Sequence, residues 1–230
     1  EYTLASTTQL MDPWRRAINP ELMATLELSP SLFLELVPPG TIIADLQESA
    51  QRESNLWGKI PVIAVAGHNT ASAVVAVPAE DEHVAYLHTN LGEWTSLGIE
   101  VETPIINEDS FCLGFTNEGG AEGTIRFQKN FSGLRLLERC IKEWEHDNIP
   151  YAPSQLIELA GSAEPFHSFI NLGDACFANP DSITEAINDY CASTNQPLPS
   201  NHGEYIRCIF ESIALKCRYA LDNLKQLPPF

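Results

Sequence analysis

The chain is short of positive charge. Thirteen Lys and Arg stand against 31 Asp and Glu, leaving a formal charge of −18. Such a surface repels phosphate backbones, and nucleic-acid binding needs a basic footprint that this composition does not supply. A nucleotide remains compatible, held by backbone amides, a metal ion and a few aimed side chains. No uninterrupted apolar run approaches the ~20 residues that span a bilayer, so no membrane partner is expected. The longest run, Ile60 to Ala66, suits a buried strand. The opening Glu1-Tyr2-Thr3-Leu4 has neither a basic region nor an initiator Met, so no signal peptide is predicted, and the chain reads as cut from something longer. The six Cys (112, 140, 176, 191, 208 and 217) form no Cys-x-x-Cys pair and no His/Cys cluster. Cys140, Cys191 and Cys217 fall on apolar helix faces, where Cys is a small hydrophobe; reduced thiols in a cytoplasmic protein are expected. No Gly-x-Ser-x-Gly elbow frames Ser72 beside His68, which argues against a hydrolase.

What is present is enough for a substantial core. The 230 residues are 44% hydrophobic, sufficient for one large domain or parts of two. Asn19-Pro20-Glu21 combines an N-cap, a first-turn Pro and a first-turn acid, opening a short helix through Leu26 that Ser29-Pro30 stops. "LVPPGT" (Leu36 to Thr41) predicts a rigid turn before Ile42-Ile43, and residues 45–59 a solvated loop or short polar helix. "VIAVAGHNTASAVVAVPA" (Val62 to Ala79) joins an apolar strand, a polar stop at His68-Asn69-Thr70 and a run of small residues. Strands are predicted at Val84–Leu87, Trp94–Val101, Phe111–Thr116 and Thr124–Phe127, among Gly-marked turns.

The second half reads as helical. Leu134, Leu137, Ile141 and Trp144 make an amphipathic stripe. Asn179-Pro180 opens a helix carrying Ile183, Ala186, Ile187 and Tyr190 on one face. A long helix from about Gly203 to Leu227 buries Ile206, Ile209, Phe210, Ile213, Cys217, Leu221 and Leu224. Strands followed by packed helices argue for a layered α/β fold. Past Pro228-Pro229-Phe230 another strand is expected.

Taken together, "VIAVAGHNTASAVVAVPA", "FTNEGGAEGTIRFQKNFSGLRLLERC" and "YIRCIFESIALKCRYALDNL", with "TLASTTQLMDP" and "LVPPGTII" in the same order, resemble the rhamnulokinases of the FGGY carbohydrate kinase family. The resemblance covers essentially the whole chain. It implies part of an actin/hexokinase/ribonuclease-H-like sugar kinase fold: residues 1–78 the end of a sugar-binding first domain, residues 79–230 the first part of an ATP-binding second domain. The implied reaction is phosphorylation of L-rhamnulose by ATP, with Mg²⁺ bridging the phosphates. The resemblance also implies that His68, Asn69 and Thr70 face the sugar, and that Asn130 and Glu138 face the nucleotide.

Three departures from the family pattern stand out. The family carries His-Asp-Thr, with the Asp as general base, where this chain has His68-Asn69-Thr70. An amide keeps the shape of the carboxylate but cannot accept a proton near neutral pH, and general-base catalysis contributes about 10²–10⁴-fold. The hairpin "HTNLGEWTSLG" (His88 to Gly98) is two residues longer than the family's and sets Glu93 where a phosphate-contacting Thr hydroxyl is expected. A carboxylate there repels a triphosphate unless a cation intervenes. The family's Asp-containing phosphate loop and its Gly-rich adenosine loop are expected before Glu1 and after Phe230.

Two readings follow. One is a sugar kinase of this family; the other is a catalytically inactive kinase remnant, a pseudoenzyme serving as a binding or assembly module. Self-association through exposed interdomain surface is an expectation of either. His68 can also be a structural histidine and Asn69 a turn residue or helix N-cap, while Glu118-Gly119-Gly120 reads as a plain turn or as a ligand contact.

Overall fold

The computed structural model describes residues 1–79, 84–89, 94–146 and 150–227. It divides into two compact units: residues 1–86 with 98–128, and residues 87–97 with 129–227 of the described chain.

In the first unit, helix α1 (Tyr2–Ala5) is followed by a two-stranded hairpin, β1 (Met11–Asp12) and β2 (Ala17–Ile18), with Met11 opposite Ile18. Helix α2 (Pro20–Thr25) begins as its sequence dictates. The Asn19 side chain accepts from the amides of Glu21 (2.9 Å) and Leu22 (3.3 Å), and Pro20 fills the first turn. Strand β3 (Ile42–Asp45), helix α3 (Glu48–Ser54) and strand β4 (Pro61–Ile63) come next, β3 and β4 pairing antiparallel. The expected buried strand at Ile60 to Ala66 is therefore corrected. Only Pro61–Ile63 of this run pairs as a strand, and it is open to water, with Ile63 49% exposed, and Ile42 on its partner 64%. A two-stranded hairpin cannot cover its own faces, and among the described residues no layer covers this one.

Helix α4 (Asn69–Val75) buries Thr70, Ala71 and Val74. Strands β5 (Tyr86–Thr89) and β6 (Trp94–Val101) lead to helix α5 (Glu108–Cys112), then β7 (Thr116–Gly119) and β8 (Ile125–Ser132). They form one sheet in the order β5-β6-β8-β7, with β7 antiparallel to β8. Here the expectation of a strand at Phe111–Thr116 fails. Asn107 Oδ1 accepts from the Ser110 amide (2.8 Å) while Ser110 Oγ accepts from the Asn107 amide (3.0 Å). This reciprocal capping box starts a helix and leaves Phe111 85% exposed. The strand begins only at Thr116.

β6 and β8 meet at Gly98, where a Cβ would stand 2.4 Å from the Phe127 carbonyl oxygen and 2.6 Å from Gln128 Cβ. Only glycine allows that approach. Phe127 is buried and stacks on Phe115 at a centroid distance of 4.9 Å.

The second unit is built on helices α6 (Arg135–His146), α7 (Pro153–Ser162), α8 (Ile183–Ser193) and α9 (His202–Leu224). Their shared core contains Leu137, Trp144, Ile183, Ile187, Ile206 and Ile209. Of the stripe expected on α9, Ile206, Ile209 and Leu224 are fully buried, whereas Phe210, Ile213, Cys217 and Leu221 are half-buried. Helix α8 starts later than Asn179-Pro180 predicts. Ser182 Oγ accepts from the Glu185 amide (3.2 Å), and the Glu143 carboxylate on α6 accepts from the Ile183 and Thr184 amides and from Thr184 Oγ1 (2.9 Å). That carboxylate satisfies first-turn donors that would otherwise lack partners, so the tertiary contact sets the start. Helix α7 has no counterpart in the sequence reading. All six cysteines are free thiols, and no helix among the described residues is long and apolar enough to cross a membrane. The strand expected past Phe230 lies outside the described residues.

Candidate functional site

The polar trio sits at the start of α4. His68 holds the N-cap position in an extended conformation (φ −79°, ψ 126°), without a capping bond from its side chain. Two contacts, one from α1 and one from its N-cap residue, fix the turn before it. Glu1 Oε2 accepts from the Gly67 amide (2.8 Å), and Thr3 Oγ1 accepts from the His68 amide (3.2 Å). Burial alone would raise the Glu1 pKa, but hydrogen bonds from Thr3, Gly67 and Leu4 outweigh it and hold the carboxyl below its ordinary value. Asn69 is exposed, and its Oδ1 accepts from the Thr70 amide (2.7 Å); Thr70 is buried. Ser72 Oγ donates to the Ala66 carbonyl, which ties the first turn of α4 to the segment that follows β4.

Beside the trio lies a buried polar network that sequence reasoning missed. Arg126 on β8 is fully buried and pairs with Glu118 on β7 at 2.9 Å. Its Nη2 lies 3.3 Å from His68 Nδ1, its Nε donates to the Gly119 carbonyl (3.0 Å), and its Nη1 donates to Gln128 Oε1 (3.3 Å). Gln128 Oε1 also accepts from the Tyr86 hydroxyl at 2.7 Å. Burial pushes the Tyr86 phenol well above its ordinary pKa, so the hydroxyl keeps its proton. A charge inside the run "IRFQKN" was the available signal, since a strand rarely buries Arg without a partner. Glu118, read as turn or ligand contact, is the partner. Gly120 closes the β7–β8 hairpin by donating to the Thr124 carbonyl (2.8 Å).

In the second unit, Asn130 lines a cavity of about 350 Å³ together with Trp94, Lys129, Arg135, Phe177 and Lys216. Ser96 Oγ donates to Asn130 Oδ1 (2.6 Å), which orients the amide. Three of the chain's thirteen Lys and Arg meet at this cavity, in a protein of charge −18. Lys129 and Lys216 both stand over the Tyr219 ring, at 5.7 and 5.8 Å from its centroid. Burial and then repulsion from Lys216 lower the Lys129 pKa, partly offset by Tyr219. The convergence of cations suits an anionic ligand. Glu138, one turn into α6, is not among the residues lining the cavity. Glu93 lies outside the described residues. Among those described, no three His, Cys, Asp or Glu gather to hold a metal ion.

Residues 87–228 match the model of the C-terminal domain of the FGGY family of carbohydrate kinases. The chain belongs to that family. This FGGY chain is 48% identical over 229 residues to a rhamnulokinase of Bacteroides thetaiotaomicron, covering 100% of this chain and 46% of that relative. It is 37% identical over 227 residues to a rhamnulokinase of Enterococcus faecalis, covering 99% of this chain and 45% of that relative. The chain thus spans about half the length of the curated relatives it matches. Among solved structures, a xyloylose kinase from Brucella ovis superposes with a TM-score of 0.66 at 18% identity, covering 99% of this FGGY chain and 45% of that one. A ligand-bound xylulose kinase from Lactobacillus acidophilus gives 0.61 at 14% identity, covering 97% of this chain and 44% of that one. The α/β sugar kinase fold, of the actin/hexokinase/ribonuclease-H kind, is as the sequence predicted.

Proposed function

We propose that this chain is part of a rhamnulokinase, the parent reaction being transfer of the ATP γ-phosphoryl group to L-rhamnulose to give L-rhamnulose 1-phosphate. The likeness that runs through all of the chain at 48% identity carries this reading. On it, His68, Asn69 and Thr70 contact the sugar and Asn130 the nucleotide, with Glu138 and Glu93 as further nucleotide-side positions. On the same reading the domain change falls between residues 78 and 79, and the family match that begins at 87 is compatible with that boundary. The cationic cavity beside Asn130 supports the nucleotide half, because phosphoryl transfer relies on positioning and charge neutralisation. Magnesium, carried in on the nucleotide phosphates, would supply part of that neutralisation. Titration with Mg·ATP is expected to give heat that Asn130→Ala abolishes. No binding at millimolar ATP would refute the nucleotide half.

A second reading, an inactive remnant that binds without turning over, is favoured by Asn69. Its amide offers no basic atom where the family has a carboxylate. In the full-length protein, Asn69→Asp is expected to raise phosphorylation by about 10²–10⁴-fold. Fast turnover with Asn69 in place would refute this second reading. Self-association through exposed apolar surface, such as Ile42 and Ile63 on the β3–β4 hairpin, belongs to the same proposal. Sedimentation showing only monomer would exclude it.

A further inference from the structure

The contact between Arg126 and His68 constrains what the histidine can do. A guanidinium carries five N–H donors and no acceptor, and it stays protonated in proteins. At 3.3 Å from Arg126 Nη2, His68 Nδ1 makes a hydrogen bond only by offering its lone pair. A proton on Nδ1, in the other neutral tautomer or in imidazolium, would set two N–H donors against each other. Arg126 is not free to turn away, since Glu118, Gly119 and Gln128 accept its remaining hydrogen bonds. Gln128 is fixed in turn by the Tyr86 hydroxyl.

We propose that Arg126, locked by Glu118 and Gln128, fixes His68 as the neutral Nε2–H tautomer, so that His68 meets a sugar hydroxyl as a hydrogen-bond donor and not as a proton acceptor. The donor role rests on the sugar-side reading above; the tautomer does not. Arg126 is then a positioning residue, acting through the histidine. The consequence reaches the missing base. Asn69 has no basic atom, and the one lone pair on the His68 ring is committed to Arg126. Neither residue takes the proton from an attacking hydroxyl; together they orient the sugar without activating it.

Histidine nitrogens report this directly. In the full-length protein labelled with ¹⁵N at its histidines, long-range ¹H–¹⁵N correlation near neutral pH separates protonated from lone-pair nitrogens, and His68→Asn assigns the His68 signals by their loss. The expected pattern is a lone-pair Nδ1 and a protonated Nε2. Arg126→Lys, which keeps a donor, should retain it, and Arg126→Met should shift both nitrogens toward the averaged values of exchanging tautomers. A protonated Nδ1, or averaged nitrogens in the wild type, overturns the proposal whatever the variants do. Addition of L-rhamnulose is expected to move the Nε2–H signal while Nδ1 stays lone-pair type. If the sugar moves nothing, the sugar-side reading and the donor role fall, while the spectrum still decides the tautomer. If the sugar binds to a ring of the opposite pattern, the tautomer inference falls and the sugar-side reading stands.

Discussion

Replacing Arg126 by Met tests how much of the first unit depends on one buried charge. The thioether side chain keeps most of the aliphatic bulk, so the effect comes from polar partners and not from a large void. Glu118, whose side chain is 12% exposed, loses its counter-charge at 2.9 Å. The Gly119 carbonyl loses the donor at 3.0 Å, and His68 Nδ1 loses the one at 3.3 Å. Gln128 Oε1 is spared, because Tyr86 still donates to it. Breaking a buried pair by removing one partner costs roughly 3–5 kcal/mol. Glu118 keeps some access to water, so the low end, about 3 kcal/mol, is expected. For a chain of this size that lowers Tm by about 6–12 °C. Glu118→Gln in the same background removes the charge that has lost this counter-ion and should restore about 1 kcal/mol, a coupling typical of residues in direct contact. Chemical denaturation followed by circular dichroism gives the cost, and amide exchange along β7 and β8 shows that the loss lies in this unit. A cost under about 1 kcal/mol for Arg126→Met, within the range of surface substitutions, would refute the argument that this network holds the site.

Other perturbations probe the remaining supports. Gly98→Ala drives a Cβ into the backbone of β8, 2.4 Å from the Phe127 carbonyl oxygen; a loss of about 1–3 kcal/mol by denaturant titration is expected, and a neutral result would mean that β6 and β8 separate easily. Glu143→Ala removes the carboxylate that accepts from the Thr184 hydroxyl and from the first amides of α8. Thermal melting should show a loss of about 0.5–2 kcal/mol, as for other lost helix caps. The Glu1 carboxyl is held below its ordinary value of 4.5, so its contribution is present above about pH 4.5 and lost as the pH falls through its folded-state pKa. Wild type should therefore exceed Glu1→Gln in stability near neutral pH, and the difference should shrink in acid. A gap that is unchanged there would contradict the hydrogen bonds assigned to Glu1.

Local chemistry made much of this legible in the sequence. The Asn19-Pro20 start of α2, the Leu137 and Trp144 stripe of α6 and the length of α9 follow from side chains acting on their own backbone or on one helix face. The blocks around "GHNTASAV" and "FQKNFSG" pointed to the family, and Asn69 and Asn130 were named from them. Where partners are distant in sequence, the reading stopped. The start of α8 depends on Glu143, some forty residues earlier. The helix at α5, in contrast, rests on a local Asn107–Ser110 box that the apolar run Phe111 to Phe115 concealed.

The family, the acidity of the chain and the amide at position 69 are legible in the residues and their order alone. Their surroundings follow from how the chain folds. A strand alternates its side chains but does not say which neighbour receives each one, so a lone Arg in "IRFQKN" could have pointed anywhere. Folding brings it under His68, 58 positions away, and against Glu118 across the β7–β8 pair. The proton inventory of the polar trio is thereby set by a residue with no local relation to it, since hydrogen bonds depend on distance in space and not along the chain.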